Sequence, residues 1–508
     1  MFVYFCRVSA ITHIRNDRIL VIRKEVLLVI MKLKNILVGV EILKMNNFKN
    51  YNIKTITHCS SQVENLSIFI ALKGNNYDGN NYIDLAIEKG AKCIITDDTK
   101  IVSDSVCVVV VKDARIAMGV VAKNFYNRCV DDMKVIGIIG TSGKTTTSLI
   151  ISQLLSFNGN KVGVIGTNGI YIDNIRQDNT FTTPDPIELH YIFYQMKCLG
   201  VEIVVMEVSA QAIYYNKVYG INFDIGVFTN ISREHLDFFG SMEKYAMCKM
   251  DFFNKNNMKE CVVNVDDFYG RELAYKVNIP CISYGIEEPA NSFAIDIELG
   301  FDYSKFVANI LDDIISVNSS YVGQYNISNI LASLTVAKML GVGVDVLSNA
   351  IRQLKEIDGR YNLYNVGGKK ILIDFAHTPK SISTLLSHIK ETSNYNILCV
   401  FGCVGYSDRD KRIEMATAVA KYSCKVIVTT DNRGTTEFKD ICLDIVEGLK
   451  DTLYMCIEDR ETAIKYAYSI MEENDLLVVM GKGAENFQKI GDERIPYSDR
   501  DVVVKLLV

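Results

Sequence analysis

Lys134-Val135-Ile136-Gly137-Ile138-Ile139-Gly140-Thr141-Ser142-Gly143-Lys144-Thr145-Thr146-Thr147 is the stretch that decides the fold of this chain. Its first half is a short apolar run, the pattern of a strand buried on both faces. A glycine turn follows, and a helix is expected from Thr145 to about Phe157. A strand, a glycine-rich turn, Lys-Thr and a helix form the context of a phosphate-binding loop. The glycines let backbone N–H groups face phosphate oxygens, and the helix start adds its positive dipole end. Lys144 is expected to neutralise phosphate charge, and the Thr145 hydroxyl to reach Mg²⁺. Gly140, Thr141, Ser142, Gly143, Lys144, Thr145 and Thr146 are therefore assigned to nucleotide binding. The usual pattern has a glycine where Ile138 stands, so the loop is a variant.

Outward from this loop, apolar strands are read at Val201–Met206, Ile225–Thr229 and Glu260–Val265. Before it lie shorter runs at Ser67–Leu72 and Lys92–Thr96. After Gly359 come Lys370–Asp374, Ile397–Phe401, Lys425–Thr429 and Asp475–Met480, with helical segments such as Ser381–Lys390 between them. Strands alternating with helices predict an α/β protein with parallel sheets. At 508 residues, about three domains are expected. We place them at 31–133, 134–356 and 357–508: a small α/β domain, a P-loop parallel-sheet domain and a C-terminal α/β domain. Residues 1–30 read as an extension from an upstream start codon, because Met31-Lys32-Leu33-Lys34 looks like a natural start and charges interrupt residues 18–30.

The net charge of −5 offers no electrostatic reason to expect a nucleic-acid or membrane partner. The 14 cysteines are scattered, with no Cys-x-x-Cys pair and no zinc spacing, so reduced thiols in a cytoplasmic protein are expected.

A phosphate loop alone does not say what becomes of the phosphate, since kinases, GTPases, motors and ligases share it. Further motifs narrow it. Glu207 ends the strand run Ile203-Val204-Val205-Met206, where α/β ligand sites lie. Thr182-Thr183-Pro184, Glu207-Val208-Ser209, Thr229-Asn230-Ile231-Ser232-Arg233-Glu234-His235-Leu236-Asp237, Tyr245-Ala246-Met247-Cys248-Lys249, Gly323-x-Tyr325-Asn326-x-x-Asn329, Asp374-Phe375-Ala376-His377-Thr378-Pro379 and Gly481-Lys482-Gly483-x-Glu485 follow in one order. Together they resemble the Mur ligase family, and within it the branch that extends a UDP-muramoyl-dipeptide to a tripeptide. The resemblance runs from about residue 55 to the end and includes the loop's missing glycine.

The resemblance implies an ATP-dependent ligase that activates a carboxylate as an acyl phosphate and adds an amine, in peptidoglycan precursor synthesis. The amine would be meso-diaminopimelate or L-lysine, and the acceptor UDP-MurNAc-L-Ala-D-Glu. The first domain would bind UDP, and the C-terminal domain would be Rossmann-like. Catalytic roles fall on Lys144, Glu207, His235 and Lys249, with Mg²⁺ held by Thr145, Glu207, His235 and Lys249, the lysine carbamylated. By itself His235 reads as a core histidine and Lys249 as a surface lysine; only the motifs speak for their roles. Asn329, Arg360 and Asp374 would hold adenine and ribose. Ser60, Asn75, Thr182, Thr183, Ser209 and Lys217 would meet the muramoyl substrate; Arg409, Asp431, Asn432, Arg433, Gly481 and Glu485 would meet the amino acid. A monomer with small-molecule substrates is expected.

Departures cluster at two places. The UDP element, usually Asp-Ser-Arg, reads Cys59-Ser60-Ser61, and Lys217 stands where an arginine is common, losing the bidentate fork. In the amine pocket the family's Asp-Asn-Pro-Arg reads Asp431-Asn432-Arg433-Gly434, and Ala484 replaces a histidine. Ser407 falls where a substrate-binding arginine belongs, unless Arg409 serves by a shift. A paralogue joining an amine to a different carboxylate is the alternative; a motor or a non-catalytic nucleotide-binding regulator lacks support.

Overall fold

The computed structural model describes residues 29–74, 77–172, 175–177, 179, 181–255, 257–405 and 409–506. The expected extension, residues 1–30, lies outside them apart from its last two residues. The described chain forms an α/β protein of three domains.

The first domain is a five-stranded sheet in the order 42–46, 107–111, 91–96, 67–70, 55–57, parallel except at the edge strand Ile42–Asn46. Cys107–Val111 is buried along its whole length, as an all-apolar parallel strand must be. The helix Ala114–Phe125 covers it, started by Asp113, whose side chain accepts from the Arg115 and Ile116 amides.

The central domain carries eleven strands in the order 175–177, 169–172, 162–166, 203–207, 134–139, 222–228, 257–264, 281–285, 292–299, 304–310, 313–319. The inner strands are parallel and antiparallel hairpins extend both ends. Lys134–Ile139 is central, between Ile203–Glu207 and Asn222–Phe228. All three C-terminal ends therefore open on one edge, where Gly140, Glu207 and Thr229 lie together. Ile138 is fully buried in its strand, so the chain turns at Gly140, not earlier. The helix Lys144–Phe157 packs beneath Gln324–Met339, both lined by aliphatic residues of one core.

The C-terminal domain has six strands in the order 362–366, 369–374, 475–480, 396–401, 425–428, 453–456; only Asn362–Val366 is antiparallel. The hairpin tip between Ser292–Leu299 and Ser304–Ile310 anchors it to the central domain. Phe301 lies 6.3 Å from the Tyr361 ring and 5.4 Å from the Tyr395 ring. Lys370 Nζ sits 5.2 Å above both Phe301 and Tyr395, and the Tyr361 hydroxyl donates to the Phe301 carbonyl at 2.8 Å.

One expectation is corrected. Cys442 on the helix Phe438–Leu449 and Cys456 on the strand Leu453–Cys456 are joined as a disulfide, while the other eleven described cysteines are free thiols. The helix-to-strand turn brings two residues 14 apart against each other at the sheet edge, a proximity that spacing motifs do not encode.

The C-terminal core also encloses an ion pair, Arg460 with Asp499, both side chains wholly buried, at 2.8 Å on two guanidinium nitrogens. Asp499→Ala would leave that guanidinium uncompensated, and should cost about 3–5 kcal/mol in a urea melt. An Arg460→Met/Asp499→Leu pair should cost far less, because neither charge then stays buried alone.

Candidate active site

The phosphate loop is shaped by positive φ at its glycines, Gly140 at 156° and Gly143 at 86°. Gly143 has no room for a side chain: an added Cβ would stand 2.4 Å from Asn329 Oδ1. Asn329 thus lies against the loop itself, accepting from the Thr147 hydroxyl at 3.3 Å and donating to Asn326 at 3.1 Å. The segment after Phe228 fastens the loop from the other side. Thr141 N–H donates to the Asn230 carbonyl at 2.8 Å and Ser142 N–H to Asn230 Oδ1 at 3.0 Å. Thr229 Oγ1 donates to the Ser142 carbonyl at 2.7 Å, and Ser232 N–H to Thr141 Oγ1 at 3.1 Å. The amides of Thr141 and Ser142 are therefore engaged in holding the loop. Those of Lys144, Thr145 and Thr146, in the first helical turn, have no carbonyl one turn back and are the donors placed for a phosphate.

Lys144 Nζ donates to the Gly140 and Thr141 carbonyls, both at 2.8 Å, so its charge lies over the loop. Burial lowers its pKa, while Glu234 and Glu207 oppose and Arg360 adds to the lowering. Glu207 is 1% exposed, its Oε1 accepting from Thr167 N at 2.9 Å and its Oε2 from Thr167 Oγ1 at 3.1 Å. The Glu207 backbone reaches the substrate-side motif: Thr183 Oγ1 donates to its carbonyl at 3.0 Å and accepts from Ser209 N at 3.0 Å. Thr182 Oγ1 lies 3.0 Å from Thr167 Oγ1. Lys217 pairs with Asp185 at 2.9 Å and stands 4.9 Å above the Phe181 ring. Thr182, Thr183, Ser209 and Lys217 therefore form one wall beside Glu207.

Lys249, on the helix Met242–Lys255, is 2% exposed, with Nζ 4.7 Å above the Tyr245 ring. Burial pushes its amine well below the usual lysine range and Lys144 pushes it further, against Glu234, Cys248 and Asp267. His235 adopts a left-handed backbone, φ 56°, at the start of Leu236–Phe239. Burial lowers its imidazole pKa; Glu234 opposes, and Lys249, Lys144 and Lys411 add to the fall.

Two residues here escaped motif reading as site members, Glu234 and His377. Glu234 Oε2 lies 3.8 Å from His235 Nε2, and its Oε1 3.4 Å from His377 Nε2 of the C-terminal domain. Burial would raise the Glu234 carboxyl, yet the His377 hydrogen bond and the charges of His235, His377 and Lys144 hold it below its usual range. Both residues sat inside quoted motifs. The signal was an acid beside a proposed metal ligand, but its partner is 143 positions away.

Arg360 enters from the C-terminal domain with its guanidinium 4.4 Å above the Phe375 ring. Burial lowers its pKa; Asp374, Glu207 and Tyr325 oppose. Asp374 accepts from the Tyr361 and Ala376 amides, both at 2.8 Å, and its pKa is raised by burial against the pull of Arg360. Arg360, Asp374 and Glu207 thus share one electrostatic neighbourhood with Lys144.

The amine-pocket residues form a second cluster. Lys482, fully buried, donates to Glu485 at 2.7 Å, Asn432 at 3.2 Å and Asp431 at 3.5 Å. Asn432 Nδ2 donates to Glu485 at 2.9 Å, and the Gly481 position faces Asp431 Oδ2. Arg433 is drawn to the Thr436 carbonyl at 3.0 Å and Glu458 at 3.7 Å. Arg409 pairs with Asp444 at 3.1 Å and with Glu447, acids of the helix Phe438–Leu449. Two carboxylates one helical turn apart capture that guanidinium. Ser407 and Asn75 lie outside the described residues. Ser60 sits in a short turn of the first domain, its carbonyl accepting from Lys89 at 3.0 Å. Its neighbour His58, absent from the expected set, feels Asp185, Arg115 and Lys217 across the first cleft, where burial lowers its pKa.

A phosphate loop at the ends of parallel strands, met by an arginine and an aspartate from a further domain, defines a nucleotide-dependent enzyme with its site between two domains. Residues 138–337 match the Mur ligase middle domain, 359–483 the Mur ligase glutamate ligase domain, and 52–128 the Mur ligase family catalytic domain. The chain belongs to the Mur ligase family. It is 33% identical over 483 residues to the UDP-N-acetylmuramoyl-L-alanyl-D-glutamate--2,6-diaminopimelate ligase of Clostridium tetani, covering 94% of this chain and 99% of that protein. The enzyme of the same name from Caldanaerobacter subterraneus subsp. tengcongensis is 36% identical over 480 residues, with the same coverage. A solved structure of a 2,6-diaminopimelate ligase of this name superposes with a TM-score of 0.66 at 26% identity, covering 91% of this chain and 96% of that one. MurF from Acinetobacter baumannii shares the fold, with a TM-score of 0.67 at 17% identity, covering 94% and 99%.

Proposed function

We propose that this ATP-dependent ligase joins a diamino acid to the D-glutamyl carboxylate of UDP-MurNAc-L-Ala-D-Glu, in the cytoplasm, as a step of peptidoglycan precursor synthesis. The names of the relatives favour 2,6-diaminopimelate over L-lysine as the amine. The observation that carries the reading is the position of Glu207. Its carbonyl and the Ser209 amide hold Thr183 of the wall, while its strand pairs with the one leading into the phosphate loop and its charge acts on Lys144, so a carboxylate held by the wall would lie beside the loop.

In the first step the carboxylate oxygen attacks the γ-phosphorus, the bond to the β-phosphate oxygen breaks, and ADP leaves. In the second a neutral amine attacks the acyl carbon, the bond from that carbon to the phosphate oxygen breaks, and phosphate departs as the nitrogen loses a proton to solvent. The loop amides and Lys144 take up the charge of the transferred group. Arg360 and Asp374 come to the nucleotide from the C-terminal side, and Asn432, Lys482 and Glu485 present the amine.

Magnesium fits the site on one condition. Among the described residues no three His, Cys, Asp or Glu side chains cluster as a ready cage. Glu207 offers a hard oxygen and Thr145 a hydroxyl, whereas an ammonium at Lys249 would repel the ion. A buried amine of lowered pKa is the form that attacks CO₂, and the product carbamate is an oxygen ligand. Thr145, Glu207, His235 and carbamylated Lys249 would then hold Mg²⁺, which neutralises β/γ-phosphate charge when bound.

Phosphate release measured with UDP-MurNAc-L-Ala-D-Glu, ATP and a panel of amino acids tests the reading. Release dependent on diaminopimelate or lysine is expected. No release with any amino acid, but release with a different carboxylate, would assign the chain to a paralogue.

A further inference from the structure

The segment 229–235 touches both halves of the machinery. Its first part fastens the phosphate loop through Thr229, Asn230 and Ser232. Its second part crosses to the C-terminal domain at two points. Arg233 Nη1 lies 2.5 Å from Glu414 Oε1 on the helix Arg409–Ala420. Glu234 reaches His377, which follows the strand Lys369–Asp374; the His377 Nδ1 lies 2.9 Å from the Phe375 carbonyl, and the Phe375 ring underlies Arg360. The third residue, His235, holds a left-handed backbone, φ 56°, which L-residues adopt infrequently.

We propose that Arg233 and Glu234 are positioning residues that latch the C-terminal domain over the phosphate loop, keeping the acyl phosphate from water until the amine attacks. This rests on the ligase reading above. The anchor around Phe301 is independent of the latch, so cutting the latch loosens closure without detaching the domain. A loosened closure admits water. Hydrolysis adds one water across the acyl–phosphate linkage and returns the carboxylate and free phosphate, so ATP is spent and no amide forms.

The ratio of phosphate released to amide formed reads this directly, and a merely structural role would not move it. The variants are Arg233→Glu, Glu414→Arg and the double charge swap, in the full-length chain with substrate, ATP and amine. Each single variant should raise the ratio about two- to fivefold, the range an exposed ion pair commands. The swap should bring it back toward the wild-type value. Glu414→Gln, which removes attraction without adding repulsion, should give a smaller rise and keeps the test open if a charge reversal fails to fold. Unchanged ratios in folded single variants, or a swap that leaves the ratio raised, overturn the latch. Wild-type protein that releases phosphate but forms no amide with any amino acid overturns the ligase reading instead.

Discussion

Lys249→Ala should lower amide formation on the order of 10²–10³-fold, with short carboxylic acids such as formate or acetate restoring part of it. Three properties of the site combine in this expectation. Lys249 is buried on a helix near the phosphate loop, its amine is held toward the neutral form by burial and by Lys144, and among the described residues no three His, Cys, Asp or Glu side chains cluster there. A carbamate on Lys249 would supply further oxygens, and alanine would remove them while leaving space for a small acid. Bicarbonate should activate the wild type and not the variant, and labelled bicarbonate should give a carbamate carbon signal in NMR only with Lys249 present. Near wild-type rates in degassed buffer without added acids would remove Lys249 from the metal site.

Lys144→Ala should have a comparable effect, about 10²–10³-fold, falling equally on kcat and kcat/KM. The Lys144 amine spans two loop carbonyls and feels the charges of Glu234 and Glu207, a place from which it would meet the transferring phosphate. An interaction made mainly with the transferring group lowers kcat; one made equally with bound ATP would raise KM alone. The loop should keep its shape, because Asn230, Thr229 and Asn329 hold it through backbone and side-chain bonds that do not involve the lysine. A variant that loses ATP affinity while keeping kcat would assign Lys144 to ground-state binding only.

Much of the central site is local in sequence. The strand into Gly140, the helix from Lys144 and the strand ending at Glu207 all follow from apolar runs closed by glycine or an acid, and the structure has them within a residue or two. The hairpins that widen the central sheet are not legible as strong apolar runs: Asp313–Ser319 alternates exposed with buried positions, and Ser292–Leu299 exposes Ile295 to Glu298 in succession. Arg409 shows a contact the sequence does not reveal. A guanidinium beside a proposed pocket looks available until the next helix brings Asp444 and Glu447 to it.

What the sequence determined by itself was the chemistry of each element: a phosphate loop, a strand-end carboxylate and a lysine in a helix, in an order that resembles one ligase family. Those signals have short periods and survive without knowledge of packing. The tertiary structure alone decided which elements meet. Glu234 finds His377 and Arg233 finds Glu414 only because the C-terminal domain, anchored at Phe301, docks over residues 229–235. Pairs separated by 143 and 181 positions leave no local pattern, because their contact depends on the relative placement of two independently packed cores.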